Sequence, residues 1–94
     1  MHHVLATIAV EDFDRFHSIF TTKGSQLRGS MGSRGAHLYR STEQPGEVTV
    51  LFDWDHDDFR AFMASSEGRA VMQEAGLRGA PTPVFLEHVT DTPS

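Results

Sequence analysis

The chain has no cysteine, which excludes disulfides, thiolate metal sites and a cysteine nucleophile. It has no apolar run near the ~20 residues that a membrane span needs. No apolar stretch follows a basic start, so no export signal is expected and the cytoplasm is the expected location. Basic charge is scarce. Eight Lys and Arg stand against thirteen Asp and Glu, for a net charge of -5. A nucleic-acid partner is therefore not expected, because phosphate binding needs a concentrated basic patch. Arg28 and Arg34 flank a glycine-rich stretch and form the only loose pair of cations; they read as solvated loop charges.

What is present fits one small domain over 1–94, with a core over 4–89 and a frayed tail over 90–94. A folded monomer of 10.4 kDa should expose about 5,400 Å², which buries roughly 64% of the unfolded chain's surface. That core is thin, and a partner subunit would add to it. The run at 3–10 (HVLATIAV) is rich in β-branched residues and reads as a strand. Asp12 is a plausible N-cap for a helix. Phe13, Phe16, His17 and Phe20 follow at i, i+3, i+4 and i+7, which is one helical face. Gly24, preceded by Lys23, is expected to end that helix.

The Gly/Ser-rich stretch 25–35 (SQLRGSMGSRG) lacks phosphate-loop spacing and reads as a flexible connection or a lid over a pocket. Residues 36–41 and 48–55 read as two strands joined by the Gln44-Pro45-Gly46-Glu47 turn. Asp55-His56-Asp57-Asp58 opens the next helix, where carboxylates suit the dipole better than they suit a metal. Phe59, Phe62 and Met63 form its apolar face, and Ser65-Ser66-Glu67 marks a break with a fresh cap. Val71, Met72 and Ala75 continue the stripe to Gly76 or Gly79. Residues 84–89 (VFLEHV) are the last strand. The order β-α-β-β-α-β predicts an α+β, ferredoxin-like fold: a four-stranded antiparallel sheet with helices on one face.

A sheet covered on one face should alternate apolar and polar residues. Here Val4, Ala6, Ile8 and Val10 oppose Leu5, Thr7 and Ala9, and Val48, Val50, Phe52 and Trp54 oppose Thr49, Leu51 and Asp53. Apolar residues occupy both faces, which predicts a homodimer through the sheet face. A tight turn at residues 44–46 would pair odd positions of one strand with even positions of the other. His37, Tyr39 and Ser41 would then join Val48, Val50, Phe52 and Trp54 under the helices, and Ala36, Leu38 and Arg40 would join Leu51 and Asp53 on the dimer face. This gathers His37, Tyr39 and Trp54, with His17 from the first helix, around one space. A mostly apolar pocket with a few convergent polar groups suits a small ligand. Imidazole could take a proton near neutral pH, and a phenol could orient an oxygen atom. Each residue also has a plain structural reading: buried Tyr and Trp with a satisfied polar tip, or a hydrogen-bonded core histidine. His2, His3 and His88 have no partners at metal-ligand spacing, and no metal site is expected.

The hairpin GAHLYRSTEQPGEVTVLFDWD, followed by DDFRAFMASSEGRAVMQEAG and a final PTPVFLEHV strand, resembles the antibiotic biosynthesis monooxygenase-like family. The resemblance covers residues 4–89, and its most specific parts are Trp54, the aromatic helix after it and the Ser65-Ser66 break. It implies a dimeric α/β barrel, with two ferredoxin-like subunits facing each other through their sheets and a pocket in each subunit between sheet and helices. It also implies oxidation of a small aromatic, quinol or polyketide-type molecule by O2 without metal or flavin. His17 or His37 would be the base, with Tyr39 and Trp54 orienting the substrate. Phe16, Phe20, Met31, Phe59, Phe62 and Met72 would form the walls. Haem-degrading relatives carry Trp and His where this chain has Phe62 and Met72, so a haem-degrading role is not implied. A polyketide cyclase or isomerase using the same base and a non-catalytic small-molecule binder remain the alternatives.

Overall fold

The computed structural model describes residues 2–94; Met1 lies outside the described residues. Four strands, β1 (His2–Ala9), β2 (Gly35–Arg40), β3 (Glu47–Asp53) and β4 (Thr82–Glu87), form one antiparallel sheet in the order β2-β3-β1-β4. Helices cover one face. Asp12 caps α1 (Phe13–Ile19), its carboxylate accepting from Arg15 N at 3.2 Å. Helices α3 (His56–Ala64) and α4 (Ser66–Glu74) are split where expected, with Ser65 Oγ accepting from Gly68 N at 2.9 Å as the cap of α4. This is the ferredoxin-like α+β architecture that the element order predicts. Pro83 sits in β4 at a sheet edge, where a missing N–H is tolerated.

Gly24 does not end the first helix. The chain passes through a π turn (Phe20–Gly24) and continues as α2 (Ser25–Ser30), so only 31–34 of the expected loop is irregular. The apolar stripe explains this: Phe16, Phe20, Leu27 and Met31 recur at helical spacing across Gly24, and all pack on the core. Continued burial outweighs the local stop signal.

The hairpin register also differs from expectation. Tyr39 pairs with Thr49, His37 with Leu51 and Leu38 with Val50, so even positions share a face with even positions. The physical cause lies between the strands. Ser41 N donates to Glu47 O at 3.1 Å, and Ser41 Oγ accepts from Glu43 N and Gln44 N at 3.3 and 3.0 Å. This serine turn precedes the Gln44-to-Glu47 turn, in which Glu47 N donates to Gln44 O at 2.9 Å. The connection is therefore longer than a tight two-residue turn, and its parity turns every β2 side chain to the opposite face. Ala36, Leu38 and Arg40 face the helices, and the Arg40 guanidinium lies 4.1 Å from the Phe13 ring centroid. His37 and Tyr39 lie on the outer face with Leu51, and Leu38 leaves the face expected to meet a partner.

The core is the helix side of the sheet, Val4, Ala6, Ile8, Val48, Val50 and Phe52, closed by Trp54 and the phenylalanines of the helices. At the α3–α4 junction, a Cβ on Gly68 would run into the Phe62 carbonyl oxygen and lie 2.8 Å from Ser65 Oγ. Gly68→Ala should therefore destabilise the fold by about 1–3 kcal/mol through forced overpacking, although helix propensity alone would favour Ala. Urea unfolding checks this, and a raised midpoint would contradict it.

Candidate functional site

Between sheet and helices lies a cavity of about 50 Å³. Ala6, Ile8, Phe52 and Trp54 line it from the sheet side. Phe16, Ile19, Phe20 and Arg28 close it from the first helical segment, and Phe59, Phe62, Met63 and Met72 from α3 and α4. Five of the six expected wall residues (Phe16, Phe20, Phe59, Phe62 and Met72) do line it. The sixth, Met31, packs on the core nearby, and its carbonyl accepts the Trp54 indole N–H at 3.0 Å.

Trp54 is fully buried and packs edge-on against Phe52, Phe59 and Phe62, with centroid distances of 5.5, 5.5 and 5.2 Å. Its one polar atom is held by the backbone. Trp54 is thus a wall of the cavity, and its indole N–H is engaged before any ligand arrives.

The remaining expected site residues lie elsewhere. His17 is on the exposed side of α1, stacked on Phe13 at 5.8 Å. It shares a helical face with Phe13 in sequence, but Phe16 and Phe20 take the inward positions. His37 and Tyr39 are on the outer sheet face through the parity change, and Tyr39 is 59% exposed. His17, His37 and Tyr39 therefore do not meet at the cavity, and among the described residues no histidine lines it. His56 has a structural role. Its Nε2 lies 3.0 Å from the carbonyls of both His3 and Leu86, so this nitrogen carries the proton and ties the start of α3 to β1 and β4. Among the described residues no group of three or more His, Cys, Asp or Glu could hold a metal. The acidic start of α3 is used otherwise: Asp55, with Asp53, pairs with Arg34 at 3.3 and 3.0 Å. Donation by its guanidinium to the Asp53 carboxylate, then to that of Asp55, raises the Arg34 pKa above its ordinary value.

Sequence reasoning missed Arg28. It is the one buried charged residue among those described, 8% exposed, and it lines the aromatic cavity. Its Nη2 donates to Phe20 O in the π turn at 3.0 Å, and its guanidinium carbon lies 3.9 Å from the Phe20 ring centroid. Gly24 makes the room: a Cβ there would lie 2.8 Å from Arg28 Nη1. Among the described residues no carboxylate forms an ion pair with Arg28. Desolvation lowers its pKa to about 10, so the group remains a cation at neutral pH. The signal that could have found it is the helical stripe running through Gly24.

No family of known sequences matches the chain, and no curated protein does. Solved structures match its fold. SnoaB, a cofactor-independent oxygenase from Streptomyces nogalater, superposes with a TM-score of 0.76 at 16% identity, covering 99% of this chain and 97% of that one. An antibiotic biosynthesis monooxygenase gives 0.69 at 17% identity, covering 96% and 100%. A protein from Bordetella bronchiseptica, described as a candidate antibiotic biosynthesis monooxygenase, gives 0.66 at 24% identity, covering 95% and 97%. These likenesses establish the fold.

Burying an unpaired cation has a consequence for stability. The folded-state pKa lies below the unfolded one, so between about pH 10 and the unfolded value stability rises with pH. Below pH 10 both states are protonated and the burial penalty is present in full. Arg28→Met should thus raise stability at pH 7 by on the order of 1 kcal/mol. Thermal or urea unfolding reads this out, and a lowered midpoint would contradict it.

Proposed function

We propose that the chain is a cofactor-independent oxygenase acting on a small electron-rich aromatic molecule, and that it works as a homodimer. The observation that carries the chemistry is the buried Arg28 cation, unpaired by carboxylate, beside a cavity walled by aromatic rings. Such a group stabilises an aromatic anion, and fixed charge in a dry site is effective because it needs no reorganisation. The fold shared with a cofactor-independent oxygenase supports the same reading.

In this reading a phenol or anthrone loses its proton to water, and its anion rests against Arg28. The anion passes one electron to O2, the two radicals combine into a C–O bond, and the resulting hydroperoxide loses water to leave a carbonyl. One oxygen atom enters the product and the other leaves as water. Arg28 stays protonated throughout and is not the base. A binding role without turnover is the second reading, supported by a cavity lining that, among the described residues, holds no histidine or carboxylate. A cyclase or isomerase that needs an internal histidine base loses its support for the same reason.

Dimerisation is proposed from the outer sheet face. His37, Leu51, Leu5 and Val84 lie side by side across all four strands, and Leu86 adds to this row. The isolated subunit exposes 5981 Å², more than the about 5,400 Å² typical of a monomer of this mass. A second copy covers that apolar row through the same face on both subunits.

Oxygen uptake with anthrone as substrate tests the chemistry. The expected result is one O2 consumed per anthrone, with a rate about 100-fold lower in Arg28→Met. No uptake above the uncatalysed rate would contradict it. Light scattering tests the assembly: twice the mass of the 10.4 kDa chain is expected, with Leu51→Glu shifting the protein to monomer. A monomeric wild-type protein at micromolar concentration would overturn the dimer.

A further inference from the structure

The inner cavity is too small for the proposed substrate, since even benzene occupies an engineered cavity of about 150 Å³. On the other side of its wall lies an open groove of about 360 Å³. Met63, Met72, Leu77 and Pro81 border both spaces. We propose that these are two compartments of one site, separated by a methionine door, and that Arg69 in the outer compartment selects ligands carrying an anionic group. The proposal takes from the preceding reading only the location at which the aromatic part of the ligand binds.

Two sides of this partition differ in stiffness. Leu77 is fixed: it bridges to Val10, and its neighbours Gly76 and Arg78 bond to Glu11 N and Ala9 O at 3.0 and 2.8 Å. Met63 and Met72 are half-buried, unbranched side chains on α3 and α4. Three rotatable bonds let methionine leave a gap without backbone movement. With both swung aside, the joined space reaches the few hundred Å³ that small-ligand sites occupy.

The outer compartment has a charge at a defined place. Arg69, Met72 and Gln73 fall at i, i+3 and i+4 on α4, so door and charge share one helical face. Arg69 Nη2 donates to Ala64 O at 2.8 Å, which orients the guanidinium and leaves its other N–H groups to a ligand. Among the described residues Arg69 forms no ion pair with a carboxylate. The joined space fits an aromatic ring system lying across the place the methionine side chains leave, with a carboxylate or sulfonate held at Arg69.

Two dyes with one skeleton test this: 1-anilinonaphthalene-8-sulfonate and the neutral N-phenyl-1-naphthylamine, titrated by fluorescence into the full chain. The sulfonate should bind the wild type about tenfold more tightly, as expected of one charge-assisted bidentate contact. Arg69→Gln, at an exposed position, should erase that difference and leave the neutral dye unchanged. Met72→Trp should block the door and weaken both dyes at least tenfold. Equal affinities in the wild type, a preference that survives Arg69→Gln, or dye binding unaffected by Met72→Trp would overturn the proposal. Oxygen uptake plays no part in this readout, so failure of the oxygenase reading would leave these outcomes distinct.

Discussion

The two-residue period of the sheet decides which side chains can reach the space beneath the helices. Position by position, Val4, Ala6 and Ile8 of β1, Val48, Val50 and Phe52 of β3 and Ala36, Leu38 and Arg40 of β2 share one face. Nothing on the alternate positions can enter the cavity without slipping a strand, and such a slip would turn the whole buried set into water. The connection between β2 and β3 sets that parity, through Ser41 and the backbone N–H groups of Glu43 and Gln44. The chemistry available to the cavity is thus restricted by a serine turn at the far end of the hairpin. It leaves the cavity with aromatic and aliphatic walls and places the imidazole of His37 and the phenol of Tyr39 outside.

Among the described residues the one charged group inside comes from the first helical segment. Its π turn, the absent side chain at Gly24 and the buried Arg28 form a single device. The glycine opens the space, the guanidinium fills it, and the Phe20 carbonyl and ring hold it. π turns within helices often mark functional positions, because they re-aim the residues that follow. An apolar side chain at position 28 would make a more conventional core. A cation buried there is expected to cost stability, and the proposed contact with an aromatic anion would account for its presence.

Element order, the helix caps at Asp12 and Ser65, the break between α3 and α4, and most of the aromatic wall were legible in the sequence, because periodicity and cap chemistry are local properties. Two features were not. The hairpin parity depends on whether Ser41 caps its own turn, which a Pro-Gly signal does not reveal. The fate of Gly24 depends on competition between a local stop and burial of Leu27 and Met31 further along, which tertiary contacts decide. Those two points account for the displaced residues: His37, Tyr39 and Leu38 through the first, Arg28 through the second. His17 differs, since it lies at the edge of a correctly read stripe and the stripe is narrower than its spacing allows.

In the proposed reaction Arg28 stabilises an aromatic anion in the cavity. Absorbance titration of bound 4-nitro-1-naphthol measures this without any turnover. Binding to the wild type should lower the naphthol pKa by about one unit or more, as a nearby opposite charge in a dry site does, and Arg28→Met should abolish the shift. A bound naphthol pKa that is unchanged, or raised as in an apolar site with no cation, would contradict it.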